Sequence, residues 1–216
     1  MTISETVAII GTGNLGSTLA ANFAAGGQDF LLAGRDLETT RKVASGFDGH
    51  AEAVTVDEAV DQAGVLVFAV WFPVFNELIA EYGDRLAGKV IVDPTNPVEP
   101  DGNGGFRKVI GEQESSGEIL AGLLPAGAHL VKAFGTLSAG TLASAARQEP
   151  ERAVGFYATD DDAAGDTVAE LIRAGGYEPV RVGGLNQSIR IEVFGDLHEF
   201  GALGRAVTKQ EALAAI

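Results

Sequence analysis

The chain contains no cysteine. Disulfide frameworks, thiolate nucleophiles and cysteine-ligated zinc or iron–sulfur centres are therefore impossible. Histidine is scarce, at three residues, and no metal-ligand pairing stands out. Basic residues are outnumbered two to one: 15 Lys and Arg face 30 Asp and Glu, for a formal net charge of −15. Such a chain is repelled by nucleic-acid phosphates and by anionic lipid, so neither nucleic acid nor a membrane is an expected partner. A small anionic ligand stays open, because a local cluster of donors can outweigh the global field. No apolar run approaches the ~18 residues of a membrane span. The start lacks the basic segment and apolar core of a secretory signal, so the expected address is cytoplasmic.

What is present is ordinary globular material: 216 residues, 46% hydrophobic and 21% charged. A chain of this length buries roughly 70% of its unfolded surface, enough for one sizeable core. The 29 glycines sit at junctions between apolar segments. Residues 6–10 (TVAII) form a continuous apolar, β-branched run, the pattern of a strand buried on both faces. Leu15, Leu19 and Phe23 then recur at helical spacing over 14–26. Residues 29–33 predict a second strand, and Asp36 an N-cap for a helix to about Ser45. A weak strand over 51–54 leads into Thr55-Val56-Asp57-Glu58, a capping-box pattern opening a short helix. Residues 65–70 (VLVFAV) are the strongest strand candidate, followed by a helix with Pro73 in its first turn and Gly83 at its close. Residues 89–92 predict a fifth strand, and 93–105 (DPTNPVEPDGNGG) a loop. Further segments alternate through helices at 118–124, 137–147 and 163–174 and strands at 129–133, 153–157 and 178–182. From Leu185 a helical stripe of Ile189, Val193, Leu197 and Phe200 is expected, covered either by the core or by a second copy in a homodimer. The whole predicts an α/β fold with a doubly wound, mostly parallel sheet of Rossmann type and a C-terminal extension. One domain is expected over 1–216, with 185–216 a helical C-terminal segment.

Gly11-Thr12-Gly13-Asn14-Leu15-Gly16 is a G-x-G-x-x-G between a predicted strand and a predicted helix. In that setting the first glycine makes the tight turn, the second lets a pyrophosphate approach the backbone, and the third lets helix and strand pack closely. The free N–H groups at the helix start supply the anion site. Strand two ends Ala33-Gly34-Arg35, with no acid until Asp36. An NAD site commonly places an acid there for the ribose 2′-hydroxyl, whereas room plus an arginine suits a 2′-phosphate. NADP is the expected cofactor, with Arg41 and Lys42 adding to the field. The alternative is an Asp36 turned back to the ribose of NAD.

These residues resemble the coenzyme F420-dependent NADP reductases and their relatives. The resemblance rests on VAIIGTGNLGSTLA, on AGR at the end of strand two, on VFAVWFPVFNELIAEYGDRLAGKVIVDPTNPV and on HLVKAFGTLSAG. It implies that Thr12, Gly13, Asn14 and Leu15 wrap the diphosphate, that Gly34 and Arg35 surround the 2′-phosphate, and that Val70, Trp71 and Phe75 lie in the segment lining the dinucleotide. Asn96 would contact the nicotinamide half, and Ala139 a further part of the nucleotide. Two positions depart from the pattern. Thr39 stands where the family's well-studied reductases carry a lysine, and Gly135 where they carry a histidine beside the deazaflavin.

The reaction the resemblance implies is hydride transfer between nicotinamide and coenzyme F420 or a similar flavin-like carrier, which requires no protein nucleophile and no metal. No residue is therefore assigned as catalytic. Trp71, Phe72 and Phe134 are expected either to wall the rings from water or to pack in the core. The alternative functions are an NADPH-dependent reductase of a small carbonyl or imine compound, with His198 the best candidate acid, and a non-catalytic NADP sensor. His198 is otherwise expected on a solvated helix surface, His50 in an exposed turn, and His129 in a structural place at a strand start. Asp160-Asp161-Asp162 is expected to cap a helix rather than to bind metal.

Overall fold

Continuous apolar strands need cover on both faces, and the helices supply it. The computed structural model describes residues 3–216. In chain order β1 (Val7–Ile10) leads to α1 (Asn14–Ala25), β2 (Phe30–Ala33) to α2 (Leu37–Ala44), β3 (Ala51–Val54) to α3 (Val56–Gln62), and β4 (Val65–Phe68) to α4 (Phe72–Tyr82). After β5 (Val90–Asp93) comes a small hairpin of β6 (Val98–Pro100) and β7 (Phe106–Lys108), then α5 (Ser116–Leu123) and β8 (His129–Ala133). The chain continues through α6 (Ala139–Ala145), β9 (Val154–Ala158), α7 (Asp162–Ala174), β10 (Glu178–Gly183), a 3-10 helix at Leu185–Arg190, and α8 (Lys209–Ala215).

Eight strands form one sheet in the order β10-β9-β8-β5-β4-β1-β2-β3. Six are mutually parallel; β9 pairs antiparallel with β8, and β10 runs with β9. Alternation along each strand sorts the core into two layers. Val7, Ile9, Val65, Val67 and Val92 pack with Leu19 and Phe23 of α1 and Leu171 of α7 on one face. Ala8, Ile10, Leu66, Phe68 and Ile91 pack with Val60 of α3, Phe75 of α4 and Leu120 of α5 on the other. A doubly wound, mainly parallel α/β sheet is thus present. From β1 the chain steps outward through β2 and β3, and from β4 it steps the other way through β5 and β8. The crevice between the carboxyl ends of β1 and β4 is the place where such sheets bind ligands.

Two expectations fail. Residues 93–105 are not all loop, because Val98–Pro100 pairs with Phe106–Lys108 across a turn in which Asp101 Oδ1 accepts from the N–H groups of Asn103 and Gly105. The segment from Leu185 is not a continuous helix. Between Arg190 and Lys209 it is a chain of turns, with Val193 and Leu197 buried while Phe200 is 59% exposed. Helical spacing misled there because Gly195, Gly201 and Gly204 interrupt it, Gly204 with a φ of +66°. Among the described residues no helix is long and apolar enough to cross a membrane.

Candidate functional site

The β1–α1 turn is held by two glycines for reasons internal to the protein. Gly11 has a φ of +120°, and a Cβ there would stand 2.2 Å from the Ala69 carbonyl oxygen beyond β4. A Cβ on Gly16 would stand 2.0 Å from the Gly11 carbonyl oxygen, so its absence lets α1 lie on the turn. Gly13 is different. Its backbone is ordinary extended chain (φ −74°, ψ −171°), and a Cβ would meet nothing within 4 Å. No contact inside the fold requires a glycine at that position; a ligand approaching the backbone would.

The helix starts tell the same story. Asp36, Thr55, Ser115, Ser138, Asp161 and Thr208 each accept a backbone N–H at the start of α2, α3, α5, α6, α7 and α8. Only α1 and α4 start without a side-chain cap among the described α-helices, and neither has an acid in its first turn. These two helices flank the crevice. Uncapped N–H groups with the positive end of the helix dipole form an anion site, and Gly13 and Asn14 are exposed there. Thr12 and Leu15 are half-buried on either side, and the Thr12 carbonyl accepts from Ser17 Oγ at 3.2 Å.

At the end of β2, a Cβ on Gly34 would lie 2.8 Å from Thr40 Oγ1 and 3.2 Å from the Thr12 side chain. The space a side chain would need there is thus taken by Thr40 and Thr12. Arg35, Arg41 and Lys42 are exposed and enter none of the ion pairs among the described residues. Asp36 Oδ1 accepts the Thr39 N–H at 2.7 Å, and bonds from the Thr39 side chain and backbone hold its carboxyl below the usual range. Asp36, the first acid after β2, is therefore engaged as a helix cap, while Arg35 beside it enters no ion pair among the described residues. Thr39, in the first turn of α2, is exposed.

Beyond β4, Val70 is half-buried with its N–H on the Phe68 carbonyl at 2.9 Å, and Trp71 is 55% exposed. Phe75 departs from the place the resemblance implies. It is fully buried on the inner face of α4 and stacks on Phe68 with centroids 4.4 Å apart, so its ring does not reach the crevice. Phe72 and Phe134 are core residues as well, the latter edge-on to Phe23 at 5.7 Å; of the three expected walls only Trp71 is free.

The carboxyl ends of β5 and β8 close the far side. Asn96 does not present a free amide: Nδ2 donates to the Gly135 carbonyl at 2.9 Å, and Oδ1 accepts the Val193 N–H at 2.7 Å. It ties the C-terminal arm to the sheet. Ala139 opens α6 half-buried, one residue after the Ser138 cap. His198 is not on a solvated helix. It is 2% exposed, Nε2 lies 3.1 Å from the Gly135 carbonyl, and Nδ1 accepts the Phe200 N–H at 3.0 Å. That pairing makes it the neutral tautomer with its proton on Nε2, and burial pushes its pKa down.

Sequence reasoning missed the buried ionic cluster under this end. Lys132 Nζ reaches Asp93 Oδ2 at 2.7 Å, the Thr95 carbonyl at 2.5 Å and Ser116 Oγ at 3.0 Å. Glu192 accepts from Ser115 Oγ at 2.8 Å and from the N–H groups of Ser116 and Gly117, each at 3.0 Å. Burial pushes the Glu192 carboxyl up, but Lys132 and these donors outweigh it and hold the group below the usual range. The signal was available: Asp93, Lys132 and Glu192 are charged residues inside or at the end of the apolar runs VIVD, LVKAF and IEV.

The remaining candidates lie elsewhere. His50 pairs with Asp29 at 2.7 Å and His129 with Asp161 at 2.9 Å. The three consecutive acids are each engaged: Asp160 accepts the Leu185 N–H, Asp161 caps α7 through the Ala164 N–H besides pairing with His129, and Asp162 pairs with Arg181.

The sequence and the fold both have known relatives. Residues 6–97 match the family model described as NADP oxidoreductase coenzyme F420-dependent. The chain is 29% identical over 197 residues to an F420-dependent NADP reductase of Methanothermobacter thermautotrophicus, covering 86% of this chain and 84% of that one. It is 30% identical over 186 residues to the metalloreductase STEAP3 of Rattus norvegicus, of which it spans only 35%. The crystal structure of a hypothetical protein from Sinorhizobium meliloti superposes with a TM-score of 0.82 at 30% identity, covering 97% of this chain and 96% of that one. The glycine turn and both uncapped helices lie inside residues 6–97, the segment that matches the family of coenzyme F420-dependent NADP oxidoreductases, and over most of its length the chain is similar to an NADP-dependent oxidoreductase of that kind.

Proposed function

We propose that this chain moves a hydride between NADP(H) and a flat, flavin-like carrier, coenzyme F420 being the first candidate, in the cytoplasm. The observation that carries the reading is the open space over Gly13 at the uncapped start of α1, with Arg35, which has no ion pair among the described residues, just past the end of neighbouring β2. The residues present fit the cofactor. The amides of the 11–15 turn hold the diphosphate, Arg35 offers a charged fork to the 2′-phosphate, and Trp71 flanks the dinucleotide. Bound NADPH would supply the hydride from its nicotinamide ring.

The protein's part is to orient two rings and keep water out. Trp71, Phe194 and Phe200 are 55%, 54% and 59% exposed; Trp71 follows β4, and the bonds of Val193 to Asn96 and of His198 to Gly135 bring the segment of Phe194 and Phe200 to the residues just past β5 and β8. Exposed aromatic rings there suit a flat heteroaromatic partner. The family name and the relative's name also favour the deazaflavin. The reading of a carbonyl or imine reductase needs a proton donor near the ring. Its candidate, His198, has both ring nitrogens engaged.

The test mixes purified protein and NADPH with oxidised coenzyme F420, FMN or FAD, and follows the absorbance of both partners. Equimolar loss of NADPH and acceptor is expected with at least one. Tight NADPH binding without oxidation by any of the three would refute the carrier assignment.

A further inference from the structure

The buried ionic cluster has no evident value for stability alone. Lys132 is 1% exposed, and Asp93 and Glu192 are at most 1% exposed. Removing such charges from water costs about as much as their pairing returns, and apolar residues of the same shape commonly serve as well or better. What apolar residues cannot do is bind several backbone segments in fixed directions. Lys132 does this: it joins β5 through Asp93, the 94–96 loop through the Thr95 carbonyl, and the start of α5 through Ser116. Glu192, held by Ser115, Ser116 and Gly117, brings the C-terminal arm to the same point. One residue on, the Val193 N–H meets Asn96, and Asn96 and His198 converge on the Gly135 carbonyl.

We infer that Lys132 is a positioning residue, which through the Thr95 carbonyl and the Glu192 arm sets the floor on which the nicotinamide half of NADP(H) is seated. The inference rests on the cofactor reading above. The adenosine half is held about β1 and β2, by residues that touch no member of the cluster. Loss of the brace should therefore separate the two halves of the ligand, which a merely structural role would not do.

The experiment compares 2′,5′-ADP, which has only the adenosine half, with NADPH. The main variant is Lys132→Met combined with Asp93→Asn, which removes both charges and keeps an oxygen for the Thr95 N–H that Asp93 Oδ1 now accepts at 2.7 Å. The milder Ser116→Ala decides the matter if the double variant does not fold. Affinities are measured by calorimetry, and the emission of bound NADPH reports the ring's surroundings. The double variant is expected to keep its 2′,5′-ADP affinity within about twofold, to lose about tenfold in NADPH affinity, a 1.4 kcal/mol change, and to return the emission toward that of free NADPH. Ser116→Ala should move the same way by a few-fold. Equal changes for both ligands, or an unchanged NADPH emission, would overturn the inference. Wild-type protein that binds both ligands yet leaves NADPH emission as in water would overturn it too. Wild-type protein that binds neither would instead remove the cofactor reading.

Discussion

Two alanine substitutions in one turn should have opposite consequences. At Gly16 a Cβ would lie 2.0 Å from a backbone carbonyl oxygen, where ordinary contact is 3.4 Å or more. Neither the turn nor α1 can yield cheaply, since Leu19 and Phe23 of the same helix are fully buried. Overpacking of this kind costs about 1–3 kcal/mol or more. For a chain of this size each kcal/mol is worth roughly 2–4 °C, so Gly16→Ala should lower Tm by about 2–12 °C. At Gly13 the backbone is one any residue adopts and the Cβ has free space. Gly13→Ala should leave Tm unchanged or raise it slightly, the unfolded chain losing about 0.4–1 kcal/mol of freedom. Yet the methyl group would stand where the diphosphate meets the amides, and NADPH affinity should fall at least about tenfold, or 1.4 kcal/mol. Thermal unfolding with and without NADPH reads both quantities. In Gly13→Ala the ligand-induced rise in Tm should shrink by at least the equivalent of about 1.4 kcal/mol at saturating NADPH, while the ligand-free Tm holds. A Gly13→Ala protein that binds NADPH as the wild type does would refute the placing of the diphosphate over this turn.

Other outcomes follow from single contacts. Arg35→Ala should weaken NADPH about tenfold with little effect on NADH, because a bond to a charged group is worth about 1.5–3 kcal/mol and exposure takes the lower end; fluorescence titration of both nucleotides checks it, and an equal loss contradicts the 2′-phosphate contact. Phe75→Ala should cost about 3–5 kcal/mol of stability by urea unfolding while leaving NADPH affinity intact, since its ring fills the core beside Phe68. Burial lowers the pKa of His198, so the unfolded chain binds its proton first as pH falls. Stability from this group is present above the unfolded value near ~6.5 and is lost below it. Urea midpoints at pH 7.5 and 5.5 should therefore differ more in the wild type than in His198→Gln, and equal differences would count against a buried neutral imidazole.

Elements with strong local signals are legible in the sequence. The apolar runs of β1, β4 and β5 and the capping box at Thr55 declare themselves, since a strand buried on both faces and a helix start are local choices of residue type. The glycine turn is legible for the same reason. The C-terminal arm is not: the spacing of Ile189, Val193, Leu197 and Phe200 mimics a helix, but its backbone takes direction from distant partners such as Asn96 and Thr136. Phe75 is misplaced by its motif because the first turns of a helix at a crevice have both a core face and a ligand face. Motif position alone does not say which face a ring takes.

The amino-acid order by itself settled that strands and helices alternate, that a glycine turn suited to phosphate follows β1, and that an arginine rather than an acid comes first after β2. These are short-range matters, fixed by side-chain period, glycine's missing Cβ and the absence of an acid. Only the folded chain decided that Gly34 is small for the sake of Thr40, that Asn96 and His198 meet at one carbonyl, and that Asp93, Lys132 and Glu192 share a buried site. The bonds of Lys132 to Asp93 and of Asn96 to Gly135 each span 39 positions, and that of His198 to Gly135 spans 63. Only the order in which strands lie side by side brings such residues within bonding distance.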